Sequence, residues 1–216
     1  MPIGTGGVML LAKTLTVTGI GNCRPLAILD VILSPDWEGR YYCMSAGWAD
    51  GEEMTSMRNE SGAEYSIVFS AAEVYVRGFD HESPMSPYGT AACPGREWST
   101  KSLIAQAFRR GAVLHRRGRR PCRDGLLVAV GHGRPVAPRD DRFPPRAVDP
   151  DGATGLFGLL TDRSPEAFQP FTEDCYDVPA GLAAVRHVHA LRPLSRQLVS
   201  SLNPAVSLAG LAQDVS

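Results

Sequence analysis

The strongest constraint in this chain is the alternation in Glu73-Val-Tyr-Val-Arg-Gly-Phe79. Successive side chains of a strand point to opposite faces. Val74 and Val76 therefore share one face and Tyr75 and Arg77 the other, which marks a half-buried strand. Glu64-Tyr-Ser-Ile-Val-Phe-Ser70 precedes it as a second strand, and Arg40 to Trp48 is aromatic-rich and strand-like. Asp50-Gly51 reads as a tight turn, Met54 to Arg58 as the returning strand, and Asn59-Glu-Ser-Gly62 as the next hairpin loop. Together these segments predict an antiparallel meander.

Upstream, Leu11, Leu15 and Val17 give a short strand-like alternation. The run Leu26-Ala-Ile-Leu-Asp-Val-Ile-Leu33 has a length that fits a buried strand and a short helix equally well. Ser34-Pro35-Asp36 follows as a turn, because proline presets φ at the second turn position.

The last third changes period. Asp162 or Ser164 serves as an N-cap, Pro165 suits the first helical turn, and Glu166 favours the positive pole. Ala167, Phe168, Phe171 and Cys175 then recur at helical spacing. A second helix is expected over Leu194 to Leu202, stopping at Asn203-Pro204. Strands followed by helices predict an α+β fold, with an antiparallel β-meander in the N-terminal half covered by C-terminal helices.

At 216 residues and 44% hydrophobic content the chain is long enough, and apolar enough, to bury a core as a single domain over 1–216. Its five cysteines, Cys23, Cys43, Cys93, Cys122 and Cys175, are odd in number, scattered, and form no CxxC pair. That argues against a disulfide framework and against a zinc knuckle. Val8 to Ala12 is too short for a signal segment, and no stretch approaches a membrane span. The expectation is a cytoplasmic protein with no membrane partner. Met1 to Val8 is glycine-rich and unpatterned, so Met9 serves as a start as well as Met1.

The middle does not match the two ends. From Arg96 to Arg146 there are 13 basic against 4 acidic residues, a net of +9, whereas the remainder carries −10. His115-Arg-Arg-Gly-Arg-Arg-Pro-Cys-Arg123 has no period, and Leu126 to Val130 is the one apolar run. Residues 89–148 are thus expected to be an irregular basic segment. Three readings compete: a disordered insertion, a nucleic-acid-binding arm, and a stretch translated out of frame. Lys13 and Lys101 are the only lysines, an arginine bias that GC-rich coding explains without any ligand. With such codons, reading Gly125 to His132 one nucleotide later permits an aromatic strand, and Val113 to Asp124 yields a β-branched strand with a Glu-Asp-Gly turn.

Three segments carry a resemblance. They are Tyr75-Val-Arg-Gly-Phe-Asp-His-Glu-Ser-Pro-Met-Ser-Pro-Tyr88, Leu159-Leu-Thr-Asp-Arg-Ser-Pro-Glu-Ala-Phe168 and Val185-Arg-His-Val-His-Ala-Leu-Arg-Pro-Leu194. Over residues 9–88 and 149–205 the chain resembles a family of uncharacterised actinobacterial proteins. The resemblance implies one folded unit and, by association alone, a part in growth or differentiation control.

Asp80-His81-Glu82-Ser83 is the densest polar cluster and follows a strand. His81 there is a candidate general base, with Asp80 or Glu82 as its orienter, or a metal ligand. The same residues also suit a strand exit whose Asp and Ser bond the backbone. His187 and His189 would share a face on a strand and chelate, alone or together with His81, but would stand about 200° apart on a helix. Cys43 and Cys175 read as small core residues. No Gly-x-Ser-x-Gly elbow, P-loop or dinucleotide fingerprint occurs, so no cofactor is expected; Gly4, Gly6 and Gly7 precede no strand–helix unit. Phosphate binding through Arg109, Arg110, Arg116, Arg117, Arg119, Arg120 and Arg123 lacks interleaved aromatics. The leading expectation is a non-catalytic regulatory or interaction protein with a protein partner. A small hydrolase using Asp80, His81 and Glu82, with or without a metal, comes second, and a nucleic-acid binder third.

Overall fold

The computed structural model describes residues 20–71, 73–80, 82–83, 126–131, 134–136, 149 and 152–211. The strand expected around Leu11 to Val17 lies outside them.

Helix α1 spans Ile20–Leu33. The two-way reading of Leu26 to Leu33 resolves as helix for a packing reason. Leu26, Ala27, Leu29, Asp30, Val31, Ile32 and Leu33 are all buried, because the helix is covered by the sheet on one side and by later helices on the other. A helix apolar all round has no periodicity to read, which is why its sequence is equally a buried strand.

Six strands follow the order β1-β2-β3-β4-β5-β6, each pairing antiparallel with its neighbour. They are β1 Tyr42–Ala49, β2 Glu52–Arg58, β3 Glu64–Ser70, β4 Glu73–Phe79, β5 Leu126–Gly131 and β6 Arg134–Val136. The meander and the bounds of β3 and β4 are those expected from alternation. Val74 and Val76 are buried, while Arg77 on the opposite face reaches Glu64 at 3.1 Å. The register sets Met57, Tyr65 and Gly78 in one row and Thr55, Ile67 and Val76 in the next, all toward the core.

The expectation of an irregular segment over residues 89–148 is corrected at its far end. Leu126–Gly131 forms β5 as encoded, with Val76 opposite Val128 and Val74 opposite Val130, and β6 extends the sheet. A backbone edge offered by β4 accepts an apolar run of matching length whatever surrounds that run. Residues 84–125 lie outside the described part.

The helical layer comprises α2 Ala153–Leu156, α3 Gly158–Asp162, α4 Pro165–Tyr176, α5 Leu182–His189 and α6 Arg196–Leu202. Ser164 caps α4, its Oγ accepting from the Ala167 amide at 3.2 Å with Pro165 next in the chain. Helix α6 stops before Asn203-Pro204, as expected. One hydrophobic core joins α1, the inner sheet face and the later helices. Phe157 stacks on Tyr65 at 4.8 Å, and a Cβ at Gly78 would come within 3.3 Å of Phe157 and Leu156, so the α2–α3 junction lies directly on the sheet.

Candidate functional site

The expected cluster after β4 is a loop anchor in its geometry. The Asp80 Oδ1 accepts the Glu82 amide at 3.0 Å, and its carbonyl accepts the Ser83 amide at 3.3 Å, an Asx-type turn that leads the chain off the sheet. The carboxyl group also lies against the backbone of Gly152, which sits at φ 71°. Any Cβ there would come within 2.8 Å of Asp80 Cβ, so only glycine allows the approach. Beyond that glycine, Asp149 accepts the amides of Thr154 and Gly155 at 3.1 and 3.0 Å and closes the first turn of α2. Glu82 is exposed and Ser83 buried. His81 lies outside the described residues.

The His-x-His pair falls on α5, and the helix separates the rings. His187 Nε2 is 2.9 Å from the Pro193 carbonyl. His189 turns the other way, edge-on to Phe168 at 6.3 Å, with Nε2 enclosed and lacking a hydrogen-bond partner among the described residues. Burial lowers the His189 pKa, and Glu166 opposes the shift. A bidentate site on His187 and His189, which needs a strand, is therefore not formed. Among the described residues no group of three His, Cys, Asp or Glu is placed to hold a metal ion. Arg109, Arg110, Arg116, Arg117, Arg119, Arg120 and Arg123 lie outside the described residues. Cys43 is buried as expected, whereas Cys175 is only partly so.

Two arrangements escaped sequence reasoning. The first is Asp30, 0% exposed in the last turn of α1. Its Oδ2 accepts the amides of Tyr41 and Tyr42 at 2.7 and 2.9 Å, and its Oδ1 accepts the Tyr176 hydroxyl at 2.6 Å. Those bonds tie α1 to the start of β1 and to the end of α4. Burial pushes the Asp30 carboxyl up to about 6, against the lowering effect of Tyr176, the two amides and Arg40. A lone acid inside an eight-residue apolar run was the available signal.

The second is the corner between α1 and β1. Trp37, on a 3-10 turn Trp37–Gly39, is 57% exposed. The guanidinium carbons of Arg58 and Arg40 lie 5.5 and 6.0 Å from its ring centroid. Arg40 is buried and donates to the Ser34 and Pro35 carbonyls. Arg58 donates to the carbonyls of Trp37, Glu38 and Arg40. The indole is thus presented on a turn held by two guanidinium groups from beneath.

No helix among the described residues is long and apolar enough to cross a membrane. No family model matches the chain, and no curated protein or solved structure matches it.

Proposed function

We propose that this chain is a non-catalytic interaction protein of the cytoplasm, and that its partner is another protein docked at the Trp37 corner. The observation that carries the reading is the 57% exposed indole on a turn clamped by Arg40 and Arg58. Tryptophan and arginine dominate the energetics of protein interfaces, because they supply large contact area and directed donors at low entropic cost. A side chain already held in one place loses less on binding than a mobile one. The resemblance read in the sequence links such contacts to growth or differentiation control by association alone. The hydrolase alternative needs Asp80 as an orienting carboxylate, and its engagement with the Glu82 amide and the Gly152 backbone weighs against that role.

The test is Trp37→Ser in the full chain. The expected result is a thermal midpoint within about 2 °C of wild type, as for an exposed substitution. In cells it should reproduce the phenotype of deleting the gene, whereas His81→Ala should leave the cells like wild type. Trp37→Ser cells indistinguishable from wild type would overturn the reading. So would a well-folded His81→Ala protein that behaves as the deletion.

A further inference from the structure

The C-terminal end of α4 docks where its own charges oppose it. The negative pole of the helix dipole lies at Tyr176, and the last turn contains no basic residue. Glu173, Asp174 and Asp177 are exposed around that end. Yet Tyr176 carries it onto another carboxyl group, the fully buried Asp30, through one hydrogen bond of 2.6 Å. The groups facing Asp30 are Arg40, Tyr41 and Tyr42 at the start of β1, Cys175 and Tyr176 on α4, and Tyr65 on β3, with Glu60 acting on Tyr41 and Cys175 from the hairpin loop. Of these, Arg40 alone is cationic.

We propose that the Asp30–Tyr176 hydrogen bond is a proton-operated latch: protonated Asp30 holds the end of α4 on the start of β1, and ionised Asp30 loosens it. Two backbone amides fill Oδ2, so the proton resides on Oδ1. The Tyr176 hydroxyl then accepts where it had donated, and the contact survives with its direction reversed. Ionisation makes that one bond charge-assisted and stronger. It also leaves a carboxylate that is 0% exposed without water, and in so enclosed a place that loss is the larger effect.

Opening toward solvent recovers the hydration. Helix α4 is the element that gives way, because it contributes one bond to Asp30 where β1 contributes two, and its acidic end is repelled by the same charge. The sign follows from linkage. A carboxyl held near 6 when closed and near its ordinary 3.8 when open favours the closed form at low pH, and that preference is lost as pH rises through about 6. Local opening then becomes more frequent by up to about a hundredfold.

The experiment is amide hydrogen exchange on the full chain between pH 4.5 and 7.5, corrected for intrinsic rates, at Tyr176, Asp177 and Val178. Protection there should fall by about thirtyfold across that range, while the amides of α5 keep theirs. Asp30→Asn should give a flat profile. If that variant fails to fold, Tyr176→Phe keeps the ring and removes the hydroxyl, and should show at pH 4.5 the low protection wild type reaches only near 7.5. Protection independent of pH in wild type, an unchanged profile in Asp30→Asn, or wild-type protection in Tyr176→Phe would overturn the latch.

Discussion

The side-chain amide of Asn203 donates to the carbonyl of Ile32 at 2.9 Å and to that of Leu33 at 3.3 Å, 171 and 170 residues away in the chain. The residue that terminates α6 therefore also closes the carbonyl end of α1, whose last acceptors have no partner within their own helix. Its Oδ1 meanwhile accepts the Ala205 amide at 3.0 Å, which orients the group. Asn203→Ala should cost about 1–2 kcal/mol in denaturant unfolding. Asn203→Asp should cost more, although it keeps the Ala205 bond, because it sets a carboxylate against two carbonyls at the negative pole of α1. Equal stability of the two variants would contradict this account of the contact.

Gly152 and Asp80 should behave as one unit. Gly152→Ala introduces a Cβ at φ 71° and into the Asp80 carboxyl group, and should destabilise by about 2–4 kcal/mol. Asp80→Ala alone should cost about 1 kcal/mol, for the lost turn bond to the Glu82 amide. The double variant should be less unstable than the sum of the two, since removing the carboxyl group relieves the contact with Oδ2, the nearest atom, while the Cβ at position 80 still opposes the methyl at 2.8 Å. Chevron or equilibrium melts of the four proteins measure the coupling directly, and strict additivity would mean that the two groups do not press on each other.

Asp30→Asn isolates the buried charge. An asparagine with its oxygen toward the Tyr41 and Tyr42 amides and its nitrogen toward the Tyr176 hydroxyl satisfies every partner, because the hydroxyl accepts as well as donates. The wild-type carboxyl, raised from 3.8 to about 6, contributes stability that is present below its ordinary range and lost as pH rises through about 6. The difference in unfolding free energy between variant and wild type should move in favour of asparagine by up to about 3 kcal/mol from pH 4 to pH 7. Taking the difference cancels Glu166, whose carboxyl Arg186 holds below the usual range and whose contribution falls in acid. A difference that stays constant with pH would show that Asp30 is not the group responsible.

Tyr65 is buried to 2% exposure, and its hydroxyl has no hydrogen-bond partner among the described residues. The ring is held by its stack on Phe157, so the hydroxyl contributes only the cost of its lost hydration. Tyr65→Phe should therefore leave stability unchanged or raise it by about 1 kcal/mol, a rare sign for a core substitution. A thermal midpoint lowered by several degrees would reveal a partner for the hydroxyl.

How far the sequence spoke depended on whether a segment's surroundings differ from face to face. Glu64–Ser70 and Glu73–Phe79 have one wet and one dry face, and the period of two is written into them. Ser164-Pro165 marks a helix start because the cap acts within three residues of itself. Helix α1 is dry nearly all round, so burial erased the pattern that would have announced it. His187 and His189 were undecided for a related reason, since short helices take their form from packing more than from propensity.

The meander, the change to helix in the last third and the cap of α4 were determined by the sequence alone, because each rests on contacts between residues close in the chain. Only the tertiary structure decided that Leu126–Gly131 is the fifth strand, that Asp30 meets Tyr176, and that Asn203 closes α1. Those depend on partners brought together by folding, and the local order of residues holds no record of what lies opposite a given backbone edge or a buried acid.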